Sequence, residues 1–433
     1  MLRKISCSRN NYEKKLFSYV AKGGIDNKKR TTVVRNIINQ IRKNKNRALL
    51  NYSNKFDNNT FADFDSLKVS SKEMDEALSL CSKEFHNSVK LAAKRITNYQ
   101  KKLMPKNLYY KDETGTKLGS IWSPLASCGL YVPGGKALYP SSVLMNGIPA
   151  KIAGVKRIVI TTPASKNELR PEILMAAKEV GINEIYKIGG AQAIAALTFG
   201  TESIKKVDKI VGPGNAFVAC AKKEVFGDVG IDMVAGPSEV SIVADKTANP
   251  DLVAADLIAQ AEHDIYAQSI LITDNENLIS LVNLSLKKQL KQLPKKKIAS
   301  QSLRNFGLAI LAKNKKKIPE IINTIAPEHL ELCTSINNKI IKEIKNAGSI
   351  FIGKFSPEAI GDYIAGPNHV LPTSGSARFS SGLSVNDFLK RHSLIKITKT
   401  GIERLGPSVI NLAKHENLDG HANSVKLRLK KEN

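Results

Sequence analysis

The sequence predicts an α/β protein built from two doubly wound parallel-sheet domains, with smaller N- and C-terminal segments of helical or extended character. Three observations carry this. The 433 residues exceed what one hydrophobic core organises, and 42% of them are hydrophobic, ample for globular folding. From Tyr131 onward, short β-branched runs alternate with helix-length segments, the order that builds parallel sheets. Glycine-rich turns recur where such a run meets the next helix.

Residues 1 to about 25 read as a small arm closed by Gly23 and Gly24. From Lys28 to about Phe56, Val33, Val34, Ile37, Ile38, Ile41, Leu49 and Leu50 recur at helical spacing and predict an amphipathic helix. A second long helix is expected from about Ser71 to Leu103, acidic in its first turn and basic towards its end, as the helix dipole favours. Residues 108 to 123 are polar and alternate like a hairpin. Strands are then expected at Arg157–Thr162, Glu184–Ile188 and Lys209–Val211, with helices at Ser142–Ala153, Arg170–Val180 and Ala191–Phe199. The pattern resumes near residue 236 with strands at Val240–Ala244, Ser269–Thr273, Leu308–Leu311 and Ser349–Ile352. Helices fall between them at Asp251–His263, Glu276–Leu293 and Ile318–Asn323. After Ser381 the chain is helical and polar and reads as a separate tail.

Composition narrows the function classes. Lys+Arg 66 against Asp+Glu 39 gives a net charge of +27, which invites a nucleic-acid reading. The lysines are spread along the chain, in surface-type runs such as Arg42 to Arg47 and Lys313 to Lys317, with few aromatics between them and no zinc-finger or RNA-binding signature. A general Lys/Asn/Ile bias accounts for the charge. Cys7, Cys81, Cys128, Cys220 and Cys333 are odd in number and far apart, which argues for reduced thiols and a cytoplasmic setting. No apolar run approaches the roughly 18 residues of a membrane span, and the N-terminus lacks the apolar core of a signal peptide.

Chemistry concentrates in a few segments. The stretch SPEAIGDYIAGPNHVLPTSG (356–375) is too rich in Gly and Pro for a helix or long strand, yet holds Glu358, Asp362, Asn368 and His369. Gln260 and His263 stand three apart at the end of DLVAADLIAQAEHD, a spacing that grips one metal or simply caps a helix. Asp362, His369 or His421 could complete a mixed N/O site suited to zinc. Glu328–His329, just after a proline, is either an acid–base pair or an ordinary helix start. YVPGGKALYP (131–140), IGGAQA (188–193), VGPGNA (211–216) and VAGPSEV (234–240) leave backbone N–H groups for an anion, or serve tight packing; none fits G-x-G-x-x-G. His86 and His392 lie in Lys-rich helical contexts and read as structural.

Taken together, GLYVPGGKALYPSSVLMNGIPAKIAG, IGGAQAIAALTFGTESIKKVDKIVGPGNAFV, IDMVAGPSEV, DLIAQAEHD, APEHLEL, GDYIAGPNHVLPTSGSARFSSGLSV and HENLDGHANSVKLR closely resemble the histidinol dehydrogenase family, in its order, over most of residues 29–428. The resemblance implies incomplete Rossmann-like domains and a zinc-dependent homodimer. Such an enzyme oxidises L-histidinol to L-histidine through bound L-histidinaldehyde with two NAD+, the last step of histidine biosynthesis. Carried over by position, it implies Gln260, His263, Asp362 and His421 as metal ligands, with His421 donated across the dimer by a swapped tail. Glu328 and His329 become the acid–base residues. Ser238, His369 and Glu416 contact substrate, together with His329 and the four ligands. Tyr131, Gln192 and Asn215 contact NAD.

The division expected is an arm at 1–25, a first α/β domain of 26–130 plus 237–382 with the metal and acid–base residues, an NAD-binding domain at 131–236, and a tail at 383–433. A relative acting on another small alcohol, such as a sulfonated diol, would share the metal and NAD segments, but the intact Ser238, His369 and Glu416 favour histidinol. A zinc hydrolase would leave the glycine-rich turns unexplained. A nucleic-acid-binding protein rests on charge alone and predicts steeply salt-dependent binding.

Overall fold

The computed structural model describes residues 2–7, 12–20, 28–57, 59–134, 139–294 and 296–430. Gly23, Gly24 and the centre of the YVPGGKALYP turn lie outside these. The arm is not independent. Its strand β1 (Arg3–Ser6) pairs parallel with a strand near residue 310, and α1 (Tyr12–Val20) follows.

The predicted first helix is α2 (Lys28–Asp57), which buries Val34, Ile37, Ile38, Ile41, Ala48 and Leu49 and is interrupted at Lys45 (φ 43, ψ −122). The second predicted helix is two. α3 (Ser71–Leu80) begins on a Ser70–Glu73 capping box and stops at extended Cys81; α4 (Lys83–Lys102) restarts on Ser82, whose side chain accepts from the Phe85 N–H. The N-cap serine ends one helix by starting another. The hairpin forms as β2 (Leu108–Lys111) and β3 (Lys117–Pro124).

Next come β4 (Ser127–Tyr131), α5 (Pro140–Ala153), β5 (Arg157–Thr161), α6 (Pro171–Val180), β6 (Glu184–Tyr186), α7 (Gly190–Phe199), β7 (Lys209–Val211), α8 (Ala216–Val225) and β8 (Gly230–Ile231). They make a five-stranded parallel sheet ordered β6-β5-β4-β7-β8. Cys128, Leu130, Ile158 and Ile160 enter one core, while Val159 enters the other, so helices cover both faces. Helices α2, α3 and α4 pack here, against α7 and α8, α6, and α5 respectively, although the expected division groups them with residues 237–382. An apolar stripe shows that a helix buries a face, not which sheet receives it.

The chain continues through β9 (Glu239–Ala244), α9 (Pro250–Ala261), β10 (Gln268–Thr273), α10 (Glu276–Gln292), α11 (Lys296–Phe306), β11 (Gly307–Leu311), α12 (Ile318–Ile325), β12 (His329–Cys333), α13 (Asn337–Ile340), β13 (Ser349–Ile352) and α14 (Glu358–Tyr363). Its six-stranded parallel sheet runs β1-β11-β10-β9-β12-β13. Residues 232–238 lead straight from the carboxyl end of β8 to the amino end of β9. The carboxyl edge of one sheet is thereby tied to the amino edge of the other.

The tail differs from its helical expectation. β14 (Leu389–Lys396) pairs antiparallel with β3 along its length, making a three-stranded sheet with β2, before α15 (Lys399–His415) and α16 (Asp419–Leu429). The run LKRHSLIK is nearly all exposed and mixes charge with apolar residues, so neither helical nor strand periodicity marks it.

Candidate active site

The acid–base candidates lie at the start of β12. A left-handed Ala326 (φ 50) ends α12, and His329 opens a strand, so the helix-start reading of Glu328–His329 is excluded. Both side chains are buried. His329 Nδ1 lies 3.1 Å from the main-chain oxygen of Glu239, and Glu328 Oε2 accepts from the Glu239 N–H at 2.8 Å. Because a carbonyl only accepts, Nδ1 carries the imidazole proton. Nε2 is then the lone-pair nitrogen. It is buried without a hydrogen-bond partner and lies 3.7 Å from Asp362 Oδ1.

The 356–375 stretch is not all loop. α14 puts Glu358 and Asp362 one turn apart, on one face. Helix α9 ends at Ala261, earlier than predicted, with Gln260 fully buried and exposed His263 in the following turn, its N–H bonded to the Gln260 oxygen. His263, Glu358 and Asp362 each offer one ligand atom, all within 4.8 Å of one another. One end of the Gln260 amide faces both Glu358 oxygens, at 3.1 and 3.2 Å, and is assigned as nitrogen because it meets only acceptors; a cation between the two residues would be met by the carbonyl oxygen instead. This donor set fits a zinc-type ion.

Burial dominates the electrostatics. It raises Glu328 and Glu358 well above the usual carboxyl range, helped for Glu358 by the neighbouring charges of Asp362, Glu331, Glu328 and Asp256. Asp362 is pushed up to about 6, and Glu239 to about 7. Burial also drives His329 down to about 3 and His369 down to about 4, keeping both rings neutral. Crowded acids that raise one another make a favourable place for a cation.

His369 presents Nδ1 to the Asp362 main-chain oxygen at 2.9 Å and Nε2 to Ser142 Oγ at 3.4 Å, linking the site to α5. With His329, Asp362 and Asn368 it lines a cavity of about 260 Å³. Ser238 directly precedes Glu239, and its main-chain oxygen accepts from the Gln268 N–H at 2.9 Å.

Two candidates stand apart from this group. Glu416 follows α15 and His421 lies on α16; both are exposed, and the metal-capable group does not include them. The NAD candidates lie at the carboxyl edge of the five-stranded sheet. The hydroxyl of buried Tyr131 accepts from the Gly190 N–H at 3.1 Å. Asn215 caps α8, accepting from the Phe217 and Val218 N–H groups. Gln192 is buried at the start of α7, which has no side-chain cap, and its Nε2 has no hydrogen-bond partner. The glycines serve packing as well, since a Cβ on Gly134 or Gly189 would meet Pro163 at 2.6 Å. A helix start that receives no cap from its N-cap residue, Gly189, beside an orphaned buried amide fits the phosphates and amide of a dinucleotide.

Sequence reasoning missed a buried layer of acids behind the site. Glu331 accepts from the Glu358 N–H at 2.7 Å and is hydrogen-bonded to Asp256; burial, then the Asp256 charge, pushes it up to about 9. Two signals pointed there. Glu331 shares a strand face with His329, and Asp256 shares a helix face with Gln260.

The family profile described as histidinol dehydrogenase matches residues 21–429. The histidinol dehydrogenase of Rhizobium meliloti (strain 1021) is 51% identical over 397 residues, spanning 92% of this chain and 91% of that one. That of Gluconobacter oxydans (strain 621H) is 45% identical over 99% of this chain and 100% of its own. The crystal structure of histidinol dehydrogenase from Elizabethkingia anophelis superposes with a TM-score of 0.94 at 39% identity, covering 99% of this chain and 98% of that one. The chain belongs to the histidinol dehydrogenase family.

Proposed function

We propose that this protein oxidises L-histidinol to L-histidine by two successive hydride transfers through bound L-histidinaldehyde, the last step of histidine biosynthesis. The observation that carries the reading is the His329 ring. Its proton is held on Nδ1 by the Glu239 carbonyl, and its lone-pair Nε2 opens towards Asp362, which belongs to the metal-capable group. In this reading Gln260, His263 and Asp362, with His421 of a second chain, hold zinc, and Tyr131, Gln192 and Asn215 hold NAD. Zinc supplies positive charge and fixes the orientation of the substrate's imidazole and amine; NAD+ supplies the hydride acceptor.

The chain's own groups do the rest. His329 Nε2 takes the alcohol proton, and Glu328 then serves as base for the water that adds to the aldehyde, an order that family membership supports. With a cation held by the neighbouring residues, the burial-raised Glu328 would be drawn back towards its ionised form and could serve as a base. Ser238, His369 and Glu416 receive the substrate. The unit at 131–236 binds the dinucleotide, residues 237–382 carry the metal and acid–base groups, and the exposed tail crosses to a second copy in a homodimer. The setting is cytoplasmic, and no helix among the described residues is long and apolar enough to cross a membrane.

The test is NADH formation with L-histidinol, followed by absorbance, before and after chelation and with zinc added back. Two NADH per histidinol, lost on chelation and restored by zinc, are expected. Turnover of another amino or sulfo alcohol instead of histidinol would discard the substrate. No NADH from any alcohol would discard the reaction.

A further inference from the structure

The crossover at residues 232–238 begins at a buried ion pair. The side chain of Lys222 is 2% exposed and that of Asp232 is 1% exposed, and the two are in direct contact. Their remaining partners converge on one peptide unit. Asp232 Oδ2 accepts from the Gly212 N–H at 2.8 Å, and Lys222 Nζ donates to the Gly212 oxygen at 3.0 Å. Asp232 Oδ1 also accepts from the N–H of Met233, at 2.7 Å, so the same carboxylate fixes the start of the crossover. Gly212 needs such a hold. Its φ is 111°, and a Cβ there would sit 2.1 Å from the Tyr131 main-chain oxygen.

The far end of the crossover is anchored at the acid–base pair. Gly236 donates to Thr373 Oγ1, while Glu239 clamps Glu328 through its N–H and His329 through its oxygen. One short segment thus runs from the turn that presents Asn215 and abuts Tyr131 to the groups that move protons. Buried ion pairs add little net stability, because desolvation offsets their attraction. What this pair supplies that apolar side chains cannot is a donor and an acceptor on the same glycine.

We propose that Lys222 and Asp232 are positioning residues for hydride transfer: by fixing both polar groups of Gly212, they set the dinucleotide-binding turn at 211–216 against the Glu328–His329 pair. The proposal rests on the dinucleotide reading given above. It assigns no contact with substrate or cofactor to either residue.

The test compares the zinc-loaded wild type with Lys222→Met and with the double variant Lys222→Met/Asp232→Asn. The single variant leaves an uncompensated buried charge and should lower the melting temperature. The double variant removes that charge at nearly constant volume, so its melting temperature should recover. Its NADH affinity, read by fluorescence titration, should stay weakened about 10- to 100-fold, with KM for NAD+ raised and histidinol binding by calorimetry unchanged. NADH affinity that recovers together with the melting temperature would overturn the proposal and leave the pair a merely structural one. So would losses of NADH and histidinol affinity in equal measure. Wild-type protein that binds no NADH would remove the dinucleotide reading itself, and the proposal with it.

Discussion

His329 Nδ1 lies 3.1 Å from the main-chain oxygen of Glu239, and this contact decides which ring nitrogen is the base. The carbonyl admits only a donor, so Nε2 is left to accept a proton inside the site. Replacing His329 by Asn removes that acceptor and keeps a side-chain donor near Glu239. The expected result is a fall in alcohol oxidation of about 10²- to 10⁴-fold, with aldehyde oxidation reduced much less. Single-turnover kinetics started from L-histidinol and from L-histidinaldehyde measure the two separately. Equal slowing of both would discard the division of labour between His329 and Glu328.

The acids behind the site make the metal-free protein sensitive to alkali. Glu331 is raised from an ordinary 4.5 to about 9, so it is protonated in the fold and ionised in the unfolded chain across the range between. A raised carboxyl contributes stability that is fully present below the unfolded value and is lost as pH rises through the folded one. Stability of the chelated protein should therefore decline from about pH 4.5 towards pH 9, and Glu239, raised to about 7, adds to the lower part of that decline. Glu331→Gln keeps an acceptor for the Glu358 N–H and removes the titration. Melting temperatures of both proteins between about pH 5 and about pH 9 should show a shallower slope for the variant. Parallel slopes would mean that Glu331 is ionised in the fold.

How much of this was legible in the sequence follows from the range of each signal. Seven of the eleven strands described in the two sheets announce themselves as apolar runs between turn formers, because a buried parallel strand is apolar on both faces. β1 (RKIS), β4 (SCGLY), β8 (GI) and β12 (HLELC) do not, being short or poor in β-branched residues. Gln260, His263, Glu328, His329, Asp362 and His369 were legible as chemistry-bearing types in unusual segments, and the fold brings them to one place. The break at Ser82 was misread because Cys81 and Ser82 interrupt the amphipathic pattern only briefly. The pairing of β14 with β3 joins residues far apart in the chain, and local periodicity carries no trace of it. Glu331 and Asp256 escaped because a buried acid looks like a surface acid until its neighbours are known.

The position of His421 yields a test of the shared site. It is exposed on α16 and is not part of the metal-capable group of His263, Glu358 and Asp362 in its own chain. If the tail completes the partner's site, a His421→Asn chain and a Glu328→Gln chain are each inactive but repair one another. After unfolding and refolding together in equal amounts, half the dimers are mixed and each has one intact site, so about a quarter of wild-type activity should return. Chains refolded separately and then combined under conditions that block exchange should stay inactive. Absence of any recovery in the co-refolded sample would place the whole site within one chain.

Gly212 offers the sharpest single-residue test of the dinucleotide turn. Its φ of 111° lies in the region that L side chains rarely adopt, and a methyl group there would meet the Tyr131 oxygen at 2.1 Å. Main-chain atoms cannot rotate aside as a flexible side chain would. Gly212→Ala must therefore push β4 and β7 apart at their carboxyl ends or change the turn, at a cost of about 2–4 kcal/mol of stability. Gly227, also at positive φ (108°) but with nothing within 4 Å of a Cβ, provides the control. Gly227→Ala carries only the backbone penalty, about 1 kcal/mol. Urea unfolding of the two variants should separate them by that difference, and NADH titration should show weakened binding for Gly212→Ala alone. Equal stability and equal binding in the two variants would mean that the turn has room to relax and that Gly212 does not shape the site.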